Sequence, residues 1–412
     1  MLPPVVALNL RHYQRATVSK MVPALESLPA GQAEGRAVYL DCAATTPLDP
    51  RVREEMLHWL DQEFGNPGSR THSYGQAARQ AVERARAQVA RVAGARRNEV
   101  IFTSGATESN NLALLGLEAH ARRKRRMHIV STHIEHHAVL EPLRVLAERG
   151  FEVTLVDPEP GGWVDAERIA SEVRPDTLLV SVMQVNNETG VLQPIAEIAE
   201  KLAGSGAFLH VDAAQGFGKE LASLRNPRVD LVSLSGHKIC GPKGVGALIA
   251  RRRNGKRLPL EPLAYGGGQE IGLRPGTLPA HLIAALGKAS ELAMTECEER
   301  AAAARAFQSA LLEGLASLNP QINGDLGHAL PFILNLSFPS YDAETLIEAW
   351  SDLAAISDGA ACTSQSYTCS HVLSAMRLDP KRQAGAVRIS WCHLSQLPDT
   401  ARMVEALQKA RE

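Results

Sequence analysis

The sequence lacks the long apolar runs, the excess of one charge and the low hydrophobic content that would each exclude an ordinary globular protein. No apolar run approaches the ~18 residues of a transmembrane helix, so we expect no membrane partner. The formal net charge of −1 excludes the basic excess typical of dedicated nucleic-acid binders. A hydrophobic content of 45% excludes general disorder, and 412 residues predict two or three domains.

Paired cysteines are also lacking. The chain has six cysteines with no C-x-x-C pair among them: Cys42, Cys240, Cys297, Cys362, Cys369 and Cys392. This spacing predicts neither a zinc site nor a disulfide framework. We therefore expect reduced thiols in a cytoplasmic protein that has no metal site of its own.

Acidic residues are missing from the start of the chain, where Glu26 is the first. Three basic residues precede it, and this pattern is similar to that of an organelle transit peptide. Four prolines within the first 29 residues interrupt any long amphipathic helix. We predict that residues 1–37 form a poorly ordered extension or a small lid; import into an organelle is the alternative.

From Val38 onward, short β-branched runs alternate with helical patterns, which predicts an α/β fold with a mostly parallel sheet. The predicted strands are 99–103, 127–132, 152–156, 177–183, 207–211, 229–235 and 245–251. The predicted helices between them are 107–120, 136–149, 165–173 and 194–203. Only nine residues join the last two strands, too few for a helical crossover, so one strand should be antiparallel.

The pattern changes after Gly276 and predicts a smaller α+β domain. Residues 280–318 have few helix breakers and predict one long helix or two abutting helices. We predict a large domain over 52–280 and a small domain that combines 38–51 with 281–412.

Three motifs at strand ends carry the chemistry. SGATESNN (104–111) predicts a helix N-terminus that binds an anion, HVDAAQ (210–215) contains Asp212, and SLSGHK (233–238) contains Lys238. Each has a plain alternative, because Ser104 and Asp212 are also good helix caps and Lys238 could be a surface residue. Together, a phosphate-binding turn, an acid and a lysine predict a pyridoxal phosphate site.

Several longer motifs resemble those of the cysteine desulfurases, which are fold-type I, class V aminotransferase-like enzymes. The motifs are YLDCAATTPLDP (39–50), FGNPGSRTHSYG (64–75), FTSGATESNNLA (102–113), EHHAVLEPL (135–143), VNNETGVLQPI (185–195), SGHKICGPKGVGAL (235–248), GGGQEIGLRPGTLP (266–279), NGDLGHALPFILNLSF (323–338), GAACTS (359–364) and VRIS (387–390). The resemblance covers about residues 38–412. The spacing after Cys362 is similar to that of the long-loop subgroup, which includes housekeeping iron–sulfur assembly enzymes.

The resemblance implies a role for each site residue. Lys238 carries pyridoxal 5'-phosphate and then serves as the base at the substrate Cα, while Asp212 pairs with the pyridinium nitrogen. His136 stacks on the ring and shuttles a proton. The remaining implied contacts are with the phosphate (Ala106, Thr107, Ser235, His237), with ring substituents or substrate (Asn187, Gln215), with the substrate carboxylate (Arg388) and with the phosphate of the other subunit of a homodimer (Thr277).

Cys362 lies among small and polar residues, a context that suits an exposed, reactive thiol. The resemblance implies that it takes sulfur from L-cysteine as a persulfide, that L-alanine leaves, and that the loop 358–370 delivers the sulfur to an acceptor protein. A transient iron–sulfur ligand role for Cys362 is also implied. Cys369 and Cys392 lack this context and are expected to be packing or incidental thiols.

Three features depart from the subgroup. Asp358 and Ala360 replace small hydroxyl residues, and a carboxylate near Cys362 could raise the pKa of its thiol. Trp391 and Cys392 replace a small-residue turn. The chain also ends at Glu412, without the longer tail used for scaffold docking. The acceptor therefore stays open among an iron–sulfur scaffold, a tRNA-thiolation relay and a DNA phosphorothioation system.

Two kinds of alternative function remain. A selenocysteine lyase or another class V aminotransferase would also keep Lys238 and Asp212, although an aminotransferase would not need Cys362. A non-catalytic sulfur or cluster carrier is a different class of protein, and it would have no use for an electron sink.

Overall fold

The computed structural model describes residues 36–358 and 370–410. Its strands, in chain order, are β1 (Val38–Tyr39), β2 (Val100–Thr103), β3 (His128–Thr132), β4 (Glu152–Val156), β5 (Thr177–Met183), β6 (Phe208–Asp212), β7 (Leu231–Ser235), β8 (Gly246–Ala250), β9 (Gln321–Ile322), β10 (Ile333–Ser337), β11 (Ala354–Ala355) and β12 (Ala386–Ser390). Its α-helices are α1 (Pro50–Leu57), α2 (Ser73–Val92), α3 (Ala106–Leu115), α4 (Glu118–Lys124), α5 (His137–Glu148), α6 (Ala166–Ser171), α7 (Ile195–Lys201), α8 (Ala280–Thr295), α9 (Cys297–Gly314), α10 (Ala343–Ala349), α11 (His371–Ala375), α12 (Pro380–Ala384) and α13 (Thr400–Lys409).

A seven-stranded sheet in the order β2-β8-β7-β6-β5-β3-β4 forms the centre of the molecule. Strand β8 pairs antiparallel with both of its neighbours, and the other pairings in this sheet are parallel. This confirms the predicted α/β fold and its one antiparallel strand. Apolar side chains are buried on both faces of the sheet, as expected where helices cover both sides.

The helix predicted over 107–120 is wrong in one respect, because the structure has two helices there, α3 and α4. The break comes at Gly116, whose carbonyl accepts a hydrogen bond of 2.8 Å from the backbone N–H of Glu261. A Cβ at Gly116 would lie 2.9 Å from the carbonyl oxygen of Glu261. The close approach of the 261 loop thus needs glycine, and it explains why α3 does not continue.

The C-terminal part has its own sheet and core. Strands β12, β10 and β9 form an antiparallel sheet, against which α9, α10 and α13 bury a second apolar cluster. Strand β1 pairs parallel with β11, so the segment that precedes α1 belongs to this part by hydrogen bonding. The region predicted as one or two helices, 280–318, consists of α8 and α9. The domain boundaries themselves stay a prediction.

Within the described ranges, none of the helices combines the length and the apolar character that a bilayer crossing requires.

Candidate active site

A cavity of about 610 Å³ lies where β5, β6 and β7 reach their carboxyl ends. In a parallel sheet this edge is where loops can bring side chains from several strands together. Ten of the predicted site residues line this cavity: Ala106, Thr107, His136, Asn187, Asp212, Gln215, Ser235, His237, Lys238 and Arg388. Tertiary structure therefore brings together residues that are up to 282 positions apart in the chain.

One end of the cavity is suited to a phosphate. Ala106 and Thr107 open α3, and the first N–H groups of a helix have no intrahelical acceptor. Gly105 precedes them with a φ of 157°, and a Cβ there would lie only 3.3 Å from the Ser235 hydroxyl oxygen. The glycine keeps this end open, so that Ser235 and the start of α3 can face the same anion.

Asp212 ends β6 with a side chain that is almost completely buried. One of its carboxylate oxygens accepts a 2.7 Å hydrogen bond from the Asn110 amide, and the other accepts a 2.9 Å bond from the backbone N–H of Ala214. Both donors fix the orientation of the carboxylate. Asn110 was missed as a site residue; its place one helical turn after Ala106 on α3 is the signal that could have found it.

Lys238 ends a short 3-10 turn, Gly236–Lys238, that follows β7. Its ammonium group donates to the backbone carbonyls of Ala43 and Ala44, at 2.5 and 2.8 Å. The same N-terminal segment secures the turn, because Thr46 donates to the carbonyl of His237 through both its backbone N–H and its hydroxyl group. The segment before α1 thus positions the lysine, although sequence reasoning gave it no such role.

His136 lies on the cavity wall at the N-cap of α5. Its Nδ1 accepts a 3.0 Å hydrogen bond from the backbone N–H of Ala138, so the neutral ring carries its proton on Nε2. Burial lowers the pKa of His136, which favours this neutral form. The preceding Glu135 is fully buried, and burial raises the pKa of its carboxyl group to about 8.

Arg388 lies on β12 of the C-terminal sheet, and its side chain reaches the wall of the cavity. Its guanidinium donates to the Asp41 carboxylate at 2.8 Å and to the Asn187 carbonyl at 3.1 Å. Its Nε is buried and has no hydrogen-bond partner in the described part of the chain. The group is therefore held in place, and each terminal nitrogen keeps a second N–H for a substrate carboxylate.

Pyridoxal phosphate fits these residues. Asp212 would supply a buried carboxylate for the pyridinium nitrogen, Lys238 would supply the amine, and the start of α3 with Ser235 would supply the anion site. The side-chain oxygens of Asn110 and Gln215 are buried on the cavity wall without partners among the described residues. Unpaired buried polar atoms are costly, and such atoms at a cavity wall indicate a bound polar molecule.

Two predicted residues do not join this set. Cys362, with Ala360 and Cys369, falls within 359–369, outside the described residues. Thr277 is exposed and does not line the described wall of the cavity in its own chain.

The two ends of the Cys362 loop lie near Glu188. Ser370 donates a 2.5 Å hydrogen bond to the Glu188 carboxylate. Burial raises the pKa of Glu188 to about 7, and the nearby charge of Asp358 contributes in the same direction. The unusual Asp358 is therefore close to a second carboxyl group at the start of the loop.

Comparisons with known proteins agree with this geometry. The family model described as "Aminotransferase class-V" matches residues 38–402. The chain is 45% identical over 357 residues to "Cysteine desulfurase IscS" of Vibrio cholerae serotype O1, which covers 86% of this chain and 87% of the relative. It is 46% identical over 356 residues to the protein of the same name from Salmonella arizonae, with the same two coverages.

Solved structures show the same relationship. DndA from Streptomyces lividans is 50% identical with a TM-score of 0.76, covering 86% of this chain and 99% of that one. A structure titled "SspA in complex with cysteine" is 36% identical with a TM-score of 0.75, covering 86% and 98%. These findings confirm the predicted family, cofactor and class of activity. The chain belongs to the class-V aminotransferase family and, within it, to the pyridoxal-phosphate-dependent cysteine desulfurases.

Proposed function

We propose that the protein is a homodimeric cysteine desulfurase that takes sulfur from L-cysteine onto Cys362 and passes it to an acceptor protein. The observation that carries this proposal is the convergence of Lys238, Asp212 and Arg388 on one cavity from three separate parts of the chain. An amine, a buried acid and a carboxylate-binding cation are what a pyridoxal phosphate enzyme needs to act on an amino acid. The related structure with bound cysteine supports L-cysteine as that amino acid.

The proposed roles follow from the contacts. Arg388 binds the substrate carboxylate, since Asp41 and the Asn187 carbonyl already hold its guanidinium in place. The chemistry that pyridoxal phosphate would supply here is an electron sink for the substrate Cα. The Lys238 amine, oriented by the carbonyls of Ala43 and Ala44, removes the Cα proton. His136, with its proton on Nε2, would face the cofactor from the cavity wall and move a proton within the site.

Sulfur transfer then requires a thiolate. None of the four described cysteines lines the 610 Å³ cavity, so we assign this role to Cys362, which lies outside the described ranges. Its sulfur attacks the substrate sulfur, so that an S–S bond forms while the C–S bond of cysteine breaks. The electron pair of the broken bond stays with the substrate, which takes up a proton and leaves as L-alanine. The product on the enzyme is a Cys362 persulfide.

The decisive test measures L-alanine and sulfide from L-cysteine with a reductant present. We expect equimolar products from the wild type and none from Cys362→Ser, with a persulfide at Cys362 in the wild type by mass spectrometry. Cys297→Ser is the matched control, because Cys297 is half-buried and does not line the 610 Å³ cavity. A persulfide on Cys392, or amino-group exchange with a keto acid that persists in Cys362→Ser, would overturn the proposal in favour of a different nucleophile or an aminotransferase.

The homodimer is supported by the distribution of exposed apolar side chains. Two surface segments, 60–74 and 263–277, contain six of the seven large hydrophobic residues exposed in the described ranges. Tyr265 is 87% exposed and Phe64 70% exposed, which is unusual unless a partner covers them. Thr277 lies in the second segment, and we propose that its hydroxyl completes the phosphate site of the other subunit.

Sedimentation as a function of concentration tests this assembly. We expect dimers that release cofactor on dilution to monomers. Thr277→Ala should weaken cofactor retention, whereas Thr295→Ala, an exposed threonine at the end of α8, should not. A monomer that keeps its cofactor and its full activity would contradict the proposal.

A further inference from the structure

Behind Lys238, three segments far apart in the chain bring together a group of ligand atoms that we call the thiol cluster: Cys42, Cys240, Cys392 and His393. The sulfur atoms of Cys240 and Cys392 and a ring nitrogen of His393 all lie within 4.8 Å of one another. The Cys240 sulfur lies 4.0 Å from Nδ1 of His393. Cys42 reaches the same place through Ser395, whose hydroxyl oxygen lies 3.8 Å from the Cys42 sulfur and 3.9 Å from the Cys392 sulfur.

The backbone at each cysteine is fixed by hydrogen bonds that do not involve the sulfur atoms. The N–H of Cys42 donates to the Ser390 carbonyl at 3.1 Å, that of Cys240 to the Thr46 hydroxyl at 2.9 Å, and that of Cys392 to the Ser395 hydroxyl at 3.1 Å. The four described cysteines are not joined by disulfides. The side chains are therefore presented to one another by a rigid framework, as in a preformed binding site.

His393 has the hydrogen-bond partner that metal-binding histidines usually have. Its Nε2 lies 3.2 Å from a carboxylate oxygen of Asp49, which leaves Nδ1 facing Cys240. Carboxylates in this position orient the imidazole of a ligand and raise its basicity. The Arg51 guanidinium donates a 2.9 Å hydrogen bond to Asp49, so the carboxylate that orients His393 is itself held in place.

A small cavity of about 20 Å³ lies beside these groups, and its lining includes Cys240, Cys392, His393 and Lys238. That volume holds roughly one water-sized particle. In a tetrahedral zinc site with Zn–S bonds of about 2.3 Å, the ligand sulfur atoms lie roughly 3.8 Å apart. The ligand atoms of Cys240, Cys392 and His393, which lie within 4.8 Å of one another, would have to move closer by no more than about 1 Å to reach that geometry.

We propose that the thiol cluster is a structural site for a soft divalent cation of the zinc type, with Cys240, Cys392 and His393 as ligands and Cys42 as the fourth. Sulfur and imidazole ligands without an oxygen ligand favour zinc over magnesium or calcium. Each cysteine coordinates as a thiolate and releases its proton to solvent. Three thiolates and Zn²⁺ carry a net charge of −1, and the basic side chains of Lys219 and Arg300 line the same small cavity.

Such an ion would join the parts of the chain that build the active site. Cys42 precedes Ala43 and Ala44, which hold the Lys238 ammonium, while Cys240 follows Lys238 by two residues and Cys392 follows Arg388 by four. The ion would thus fix the lysine turn to the strand that carries the carboxylate-binding arginine. This departs from the sequence-based expectation that the chain has no metal site of its own.

The test uses the full-length, cofactor-loaded protein, reduced, freed of metal by chelator dialysis and titrated with Co²⁺ and then Zn²⁺. We expect about one ion per chain, cobalt d–d bands of a tetrahedral thiolate site, and a higher melting temperature with Zn²⁺. Cys392→Ser should weaken binding at least tenfold, and His393→Gln provides a second, milder variant with the same direction of change. Retained cofactor absorbance shows that each variant is folded.

Two control variants distinguish metal binding at the thiol cluster from sulfur transfer in the active site. Cys297→Ser should bind the ion as the wild type does, although Cys297 also borders the 20 Å³ cavity. Cys362→Ser should lose sulfur transfer and keep the ion. The proposal is overturned if the wild type binds no ion, if Cys362→Ser abolishes binding, or if His393→Gln and Cys392→Ser both bind as tightly as the wild type.

Discussion

The thiol cluster is built from three of the several chain segments that form the active-site cavity, yet only the cavity could be predicted from the sequence. Lys238, Asp212 and Arg388 each stand in a motif next to a strand. Cys42, Cys240 and Cys392 are separated by 198 and 152 residues and share no motif. The active site could therefore be predicted from local motifs. The thiol cluster could be recognised only from the structure, in which its distant residues lie close together.

The comparison also predicts different consequences of mutation. Changes on the cavity side should remove catalytic activity while the fold persists, because the roles proposed for the residues there are contacts with cofactor and substrate. Changes in the C-terminal core behind the cluster should reduce stability first. Mutations of the two regions should therefore differ in whether activity or stability is lost first.

Lys238→Ala should abolish covalently held cofactor and reduce desulfuration by at least about a hundredfold, since general bases contribute roughly 10²–10⁴-fold. Its backbone turn is held by Thr46 independently of the side chain, so the fold should remain. Absorbance of the bound cofactor and single-turnover alanine formation are the measurements. Near wild-type turnover would show that another group is the base.

Trp391→Ala should lower the free energy of unfolding by about 3–5 kcal/mol, the usual cost of removing a buried tryptophan. Trp391 is 2% exposed and its ring stacks on Phe307 at 4.8 Å between centroids. Chemical denaturation provides the measurement. Trp163→Ala is the control, because that half-buried ring stacks on the exposed His328 and its removal should cost much less.

Asn110→Ala should weaken cofactor affinity by roughly tenfold, since a hydrogen bond to a buried charge is worth about 1.5–3 kcal/mol. The lost bond is the 2.7 Å donation to Asp212. Equilibrium dialysis of the cofactor measures the effect. Asn111→Ala removes the adjacent asparagine, which bonds only its own helix at the Thr107 carbonyl, and should leave affinity unchanged.

Glu135→Gln should change how stability depends on pH. Burial raises the pKa of Glu135 to about 8 from its ordinary value near 4.5, so the folded protein keeps a proton that the unfolded chain loses. The contribution of Glu135 to stability is therefore complete below pH 4.5 and falls as pH rises toward 8. Melting temperatures from pH 5 to 8 should decline less in the variant, while Glu141→Gln, an exposed substitution, should follow the wild type.

Within the described ranges, most predicted strands agree with the structure to within two residues, because β-branched runs bounded by turn residues determine them locally. The break at Gly116 could not be predicted in this way, since it depends on a loop 145 residues further along the chain. Likewise, the sequence placed Asn110 in a motif but could not predict that its amide donates to Asp212, which lies 102 residues further along the chain.

The sequence by itself determined the class of fold, the family, and the cofactor-binding motifs at the strand ends, because each depends on residues within a few positions of one another. Tertiary structure alone decided which carbonyls orient Lys238, how Asp41 holds Arg388, and that Cys240 meets Cys392 and His393 behind the site. The physical reason is that hydrogen bonds and metal ligation act over a few ångströms in space. The number of residues between two groups does not give their distance in space. That distance is set by how the two sheets pack together.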